Sequence, residues 1–316
     1  MRLSVRLCVA TTLTAAAIAC SEPTEPLSHL NTIGNDLTLV SGVLTSPIAW
    51  SAGWASYGLH LPTPDSGSPL IPDSLRGRTL ALNCTTFLYA IAPDTGAPAT
   101  AVRLMLYQRN PGGNLSCPPT PIGHFDLFDV STAGVPAIHA VATDLSGDPP
   151  VIDYTMTRTG IGSNTTTGFV ASGAHRLGLN LFTDDSTRFM PVTRWQIDVV
   201  GTGIQEVLAE SIFQGVDTYS DDLDFQISDG PAATEVVAGY GVFNTSSSWG
   251  GKVSVDAVPF AKISGTGDAP VFSPTTPRVR FTSSERGLLT QVLNAPAGLH
   301  ATLGGMLAVS TQLLPR

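Results

Sequence analysis

Trp195-Gln196-Ile197-Asp198-Val199 puts three apolar side chains on one side of an extended chain and two polar ones on the other. That period of two is the signature of a strand with one buried and one wet face. The same order recurs in Leu223-Asp224-Phe225-Gln226-Ile227, Val253-Ser254-Val255-Asp256-Ala257 and Leu177-Gly178-Leu179-Asn180-Leu181. Residues 151–158 repeat it, with Ile152, Tyr154 and Met156 opposite Asp153, Thr155 and Thr157. Between these runs lie turn-forming clusters: 110–114, 146–150, Asp229-Gly230-Pro231, and Trp249-Gly250-Gly251-Lys252, whose Gly-Gly reads as a two-residue hairpin. The expectation is a mainly β protein, an antiparallel β-sandwich or barrel-like architecture.

Two segments depart from alternation. Thr202-Gly-Ile-Gln205 matches a capping box, and Ile204, Val207, Leu208, Ser211 and Ile212 follow at helical spacing, with a buried strand as the rival reading. Thr282-x-x-Glu285 opens a second candidate through Leu288, Leu289, Val292 and Leu293. One or two short helices are therefore expected. No internal repeat is visible, which argues against a propeller or solenoid. One large β domain over 37–316 is expected, with a weak point for subdivision near 265–277.

Composition supports this reading. The chain has 316 residues, with 31 Gly and 24 Pro but only six Glu and two Lys against 19 Asp and 14 Arg. Glu and Lys fill exposed helix faces, whereas Asp, Gly and Pro build turns. The formal net charge of −9 and the lack of a Lys/Arg run argue against nucleic-acid binding. No run of roughly 18 consecutive apolar residues marks a multi-span membrane protein.

The N-terminus carries an address. Arg2 and Arg6 precede an apolar stretch, Leu7 to Ile18, of signal-peptide length. It closes with Ala17-Ile18-Ala19-Cys20, which fits an ordinary A-x-A cleavage site and also resembles the lipobox of bacterial lipoproteins. That resemblance implies a diacylglycerol thioether on Cys20 and cleavage of residues 1–19. The mature net charge then becomes −11, since Arg2 and Arg6 leave. Residues 20–36, beginning Cys20-Ser-Glu-Pro-Thr-Glu-Pro26, read as a lipidated cysteine and a flexible tether. Ser21 in place of an inner-membrane-retaining Asp points to the outer membrane, with the face undecided.

Cysteine arithmetic agrees. Once Cys8 leaves with the signal and Cys20 is acylated, Cys84 and Cys117 remain as an even pair. In an oxidising compartment such a pair is expected as a structural disulfide.

Chemistry is sparse by contrast. The chain has no HExxH, GxSxG, Walker loop or SxxK. His124 and Asp126 would share a strand face, as a base and its orienting carboxylate do, and a solvated strand face is the simpler account. Asp217, Asp221, Asp222 and Asp224 supply four carboxylates within eight residues, a candidate Ca²⁺ set, although without the EF-hand glycine and terminal Glu. Trp50, Trp54 and Tyr57 form a candidate aromatic platform for a glycan, with core packing as the alternative.

These readings converge on an exported, membrane-anchored lipoprotein. Its β domain is expected to bind an envelope or extracellular partner or a glycan without catalysis. An exported hydrolase with a spatially assembled site and a structural subunit of an envelope assembly are the alternatives.

Overall fold

The computed structural model describes residues 25–58, 69–93, 96–110, 112–115, 117–147, 149–186, 190–230, 232–243, 246–267, 269–276 and 280–314. Two helices, α1 (Glu25–Leu44) and α2 (Pro47–Gly58), come first. Fifteen strands follow: β1 (Arg78–Asn83), β2 (Leu88–Ile91), β3 (Ala101–Tyr107), β4 (Pro121–Asp129), β5 (Ala137–Asp144), β6 (Ile152–Gly160), β7 (Ser163–Ser172) and β8 (His175–Asp184), then β9 (Val192–Val199), β10 (Ile204–Gln214), β11 (Thr218–Asp229), β12 (Ala232–Phe243), β13 (Ser246–Val255), β14 (Val258–Thr266) and β15 (Val271–Pro274). A long helix, α3 (Ser283–Leu313), closes the chain.

The mainly β expectation holds, in the form of one sheet. Its strands run in sequence order from β15 to β3 and then β1 and β2. Every pair is antiparallel except β1 with β3. Edge strands β2 and β15 are not joined, so among the described residues there is neither a closed barrel nor a second facing sheet.

Alternation decides which face is covered. Ile152, Tyr154 and Met156 of β6, Leu177, Leu179 and Leu181 of β8, Trp195, Ile197 and Val199 of β9, and Phe225 and Ile227 of β11 are all buried. They meet a layer of helices: α1 lies over β7, β8 and β11 to β13, while α2 lies over β2 to β5 and α3 packs on both helices and β5. One contiguous apolar cluster runs from Ile33 of α1 to Leu314 after α3.

The segment 204–212 is not a helix. It forms β10, with Ile204, Glu206 and Leu208 facing the core. Because Glu206 occupies an inward position, the apolar alternation is interrupted and the remaining residues mimic helical spacing. Likewise Gly250-Gly251 is no hairpin turn but the middle of β13. A Cβ on Gly251 would stand 2.3 Å from the Val237 carbonyl oxygen, so glycine here admits a close strand approach. The hairpin after β13 turns instead at Asp256 and Ala257, both with positive φ (51° and 64°).

At Thr282 the capping box is present as expected, with mutual bonds to Glu285, but its helix is long: 31 residues with Pro296 inside. By length and apolarity α3 would suffice to cross a membrane. Eleven of its residues are nonetheless buried in this fold. The tether expected through residue 36 is also shorter, because α1 is helical from Glu25 and buries Leu30 and Ile33. Residues 1–19 and Cys20 lie outside the described residues.

Cys84 and Cys117 form the expected disulfide, with Cα atoms 5.7 Å apart. It ties the turn after β1 to the β3–β4 connection and so holds the β1–β2 hairpin at the sheet edge.

Candidate functional site

Sheet register builds a cleft beneath α3. Met156, Thr166, Leu181 and Trp195 are successive cross-strand partners through β6, β7, β8 and β9 on the covered face. The next row on that face holds Asn164, Thr183, Thr193 and then Glu210 of β10. Above these rows α3 contributes His300, Leu303, Gly304, Leu307, Ala308, Thr311 and Gln312. The partly open space, about 390 Å³, has a mostly apolar floor and a hydroxyl- and amide-bearing rim. Gly304 opens it because a helix position without a side chain leaves room above the sheet. Trp195 is 3% exposed and its Nε1 has no acceptor among the described residues.

One end of the cleft is charged. His300 Nδ1 lies 3.1 Å from Glu210 Oε2, and the edge of Trp195 meets the His300 ring at 6.1 Å between centroids. The hydrogen bond to Glu210 raises the His300 pKa above its ordinary value against the opposing effect of burial, with the charges of Glu210 and Asp221 adding to the rise. Burial, together with the Glu210 and Asp222 carboxylates, pushes Asp221 up to about 6, partly offset by His300. No metal-type cluster of three or more His, Cys, Asp or Glu occurs among the described residues.

A second polar group lies under α1. Glu206 is fully buried, and neither carboxyl oxygen has a hydrogen-bond partner among the described residues; the same holds for Asp36 Oδ2 and Thr234 Oγ1. Burial and then the nearby Asp36 push Glu206 up to about 8, while burial and Asp229 push Asp36 to about 6. At neutral pH Glu206 is therefore a neutral acid, the form that tolerates a site without a counter-charge.

The residues singled out from sequence are scattered by the fold. β11 divides the acidic group: Asp222 and Asp224 pair with Gly239 and Val237 on the open face, Asp221 lies on the covered face, and Asp217 is exposed before the strand. A common Ca²⁺ set is thus broken by strand alternation. Trp50 and Trp54 sit on α2, half-buried, and pack on the Leu82, Tyr107 and Leu115 cluster. They also line a groove of about 250 Å³ with Gly53, Ala301 and Gly305 of the facing helices. The Tyr57 side chain lies outside the described residues.

His124 and Asp126 do share a face, yet Asp126 is engaged by Arg103 through two 2.7 Å bonds. His124 Nε2 is 2.9 Å from the Thr143 hydroxyl and 3.8 Å from Asp126. Burial and Arg103 lower the His124 pKa. With its orienting acid committed to a guanidinium, this pair is a strand-face ion network.

Sequence reasoning missed Glu210, Thr193 and His300 as site residues. Reading 204–214 as a strand would have exposed Glu206 and Glu210 as inward carboxylates, the signal that the helical reading concealed. As assembled, the cleft can hold a compact apolar molecule and offer polar contacts along one side. No family model matches the chain, and no match is found among curated proteins or solved structures.

Proposed function

We propose that this protein is an exported lipoprotein, anchored through an acylated Cys20 in the outer membrane, whose β domain binds a small apolar ligand without catalysing a reaction. The observation that carries the binding reading is the cleft of about 390 Å³ between α3 and β6 to β9. A space of this kind, apolar at the floor and polar at one rim, suits a ligand whose hydrocarbon part is removed from water. Its lining favours such a molecule over a glycan. The anchoring reading rests on Arg2, Arg6 and the Ala17-Ile18-Ala19-Cys20 sequence.

Two measurements test the two halves. The mature chain should enhance the fluorescence of a solvatochromic naphthalene dye, and octanol should displace it. Ala308→Trp, which fills the cleft, should abolish the enhancement. An unchanged signal in that variant would place dye binding elsewhere and defeat the cleft reading. For the anchor, the intact mass of membrane-extracted protein should show a lipid adduct that Cys20→Ala lacks; an unmodified soluble chain would defeat it.

A further inference from the structure

Next to the His300 end of the cleft, past Glu210, the covered face carries a constellation of rings and acids. Asp221 of β11 is the direct partner of Tyr240 in β12, and Tyr240 of Trp249 in β13. Tyr240 and Trp249 have ring centroids 4.7 Å apart, and Tyr219 meets Tyr240 edge-on at 6.1 Å. All four residues are half-buried. Trp249 is held in place by its Nε1 donating to the Gly267 carbonyl at 3.1 Å.

Charges do not balance at this end. Glu210 and Asp221 are two carboxylates facing one imidazole, and Glu210 already engages it. Asp221 Oδ1 is a buried atom that receives no hydrogen bond among the described residues. A carboxylate short of a donor, beside aromatic rings, is an environment an organic cation satisfies: it donates to the oxygen and is attracted by the ring quadrupoles. The cross-strand pairing of Glu210 with Thr193, a cleft residue, and the interaction of His300, another, with Glu210 and Asp221 make the two regions neighbours on the covered face.

We propose that the ligand is a primary alkylammonium compound, its hydrocarbon chain in the cleft under α3 and its ammonium against Asp221 and the Tyr219, Tyr240 and Trp249 rings. This rests on the ligand-binding reading above and adds the class of head group. A carboxylate head would instead meet Glu210 and Asp221 with like charge. An alcohol would donate to Asp221 but leave its charge unmatched.

The acid carries a pH consequence. The groups facing Asp221 are Glu210 from β10, His300 from α3, Tyr219 from its own strand and Tyr240 from β12, with Asp222 behind. Protonation of Asp221 near pH 6 removes the unmatched charge, so ammonium binding weakens as pH falls through that value.

The test is calorimetric titration of the mature chain with octylammonium, octanol and octanoate, each below its aggregation threshold, at pH 7.5. Octylammonium should bind at least about tenfold more tightly than octanol, with octanoate weakest. Asp221→Asn should erase that preference while octanol binding persists, and Tyr240→Leu should reduce it if the Asn variant is poorly folded. Asp224→Asn, on the opposite face, separates a local site from the general attraction of an acidic protein for cations. Equal binding of octylammonium and octanol, or equal losses in Asp221→Asn and Asp224→Asn, overturns the head-group inference and leaves the cleft reading standing. If none of the three ligands binds, both fall.

Discussion

Tyr154 of β6 and Ser310 of α3, 156 positions apart in the chain, share a 3.0 Å hydrogen bond between their hydroxyls in the fully buried core. It joins the middle of the sheet to the C-terminal helix and satisfies two polar atoms that water cannot reach. Tyr154→Phe leaves the Ser310 hydroxyl without this partner and should cost about 1–2 kcal/mol. Ser310→Ala should cost a similar amount, and the double variant less than the sum of the two. Urea unfolding of the three variants measures this. Additive losses would show that the hydroxyls do not act as a pair.

His300 and Glu210 form a pair that titrates. Because the hydrogen bond to Glu210 raises the folded His300 pKa above its ordinary value of 6.5, the pair stabilises the fold fully below 6.5. That contribution disappears as pH rises through the higher folded value. Partial exposure of both side chains limits it to about 1 kcal/mol or less. Glu210→Gln should lower the His300 pKa in an NMR titration. An unchanged midpoint would remove Glu210 as the main cause of the shift.

Glu206 should make stability fall at alkaline pH. Its folded pKa of about 8 lies above the ordinary value of 4.5, so the folded chain holds this proton more tightly than the unfolded one. The stabilisation is complete below about 4.5 and is lost as pH rises through 8. Glu206→Gln keeps the shape and neutrality of the protonated acid, so its stability should match the wild type near pH 4 and exceed it at pH 9. Denaturant midpoints at the two pH values decide the matter; parallel curves would rule out Glu206 as the titrating group.

Gly168 of β7 lies directly across from Tyr154 and leaves room for it. A Cβ at Gly168 would stand 2.2 Å from the Asp153 carbonyl oxygen and 2.4 Å from the Tyr154 Cα, with φ at 153°. No side-chain rotation relieves a clash with backbone. Gly168→Ala should therefore destabilise by about 3 kcal/mol or more. A thermal midpoint within a degree of the wild type would contradict the close approach of β6 and β7.

The disulfide should be worth more than its position at a sheet edge suggests. Cys84 and Cys117 close a loop with a sequence separation of 33, for which loop-closure entropy gives about 4 kcal/mol. Cys84→Ser with Cys117→Ser should lower the unfolding midpoint by a corresponding amount. No change on reducing the wild-type protein would mean that the edge hairpin is held by its packing alone.

The strands were legible because alternation is a local property. Trp195, Ile197 and Val199 lie two residues apart, and a strand sends every second side chain to the same face whatever it pairs with. The capping box at Thr282 was legible for the same reason, since its two hydrogen bonds close within three residues. Where the local signal was ambiguous, the reading failed. Glu206 interrupted the apolar period of β10, and Gly250-Gly251 resembled a turn because glycine serves both sharp reversals and close strand contacts. The α1 helix was hidden by a polar N-terminal segment that reads as solvated when nothing says what covers Leu30 and Ile33.

The candidate site was legible only in fragments. Trp195, His300 and the acids around Asp221 are all visible in the chain, but Asp217, Asp221, Asp222 and Asp224 looked like one cluster because they are neighbours in sequence. Strand geometry put Asp221 on one face and Asp222 and Asp224 on the other, so proximity along the chain was the wrong measure.

By itself the sequence determined the class of structure, the buried face of most strands, the disulfide pair and the start of the last helix. These depend on interactions spanning a few residues, or on a count of two cysteines. Tertiary structure alone decided that the strands make one open sheet and that α3 lies over β6 to β9. It also decided that Glu210 meets His300 at one end of the cleft, and that Asp221, Tyr240 and Trp249 stand side by side on adjacent strands. Sheet register and helix docking set those meetings, and both arise from the burial of apolar surface summed over the whole core rather than from any short stretch of chain.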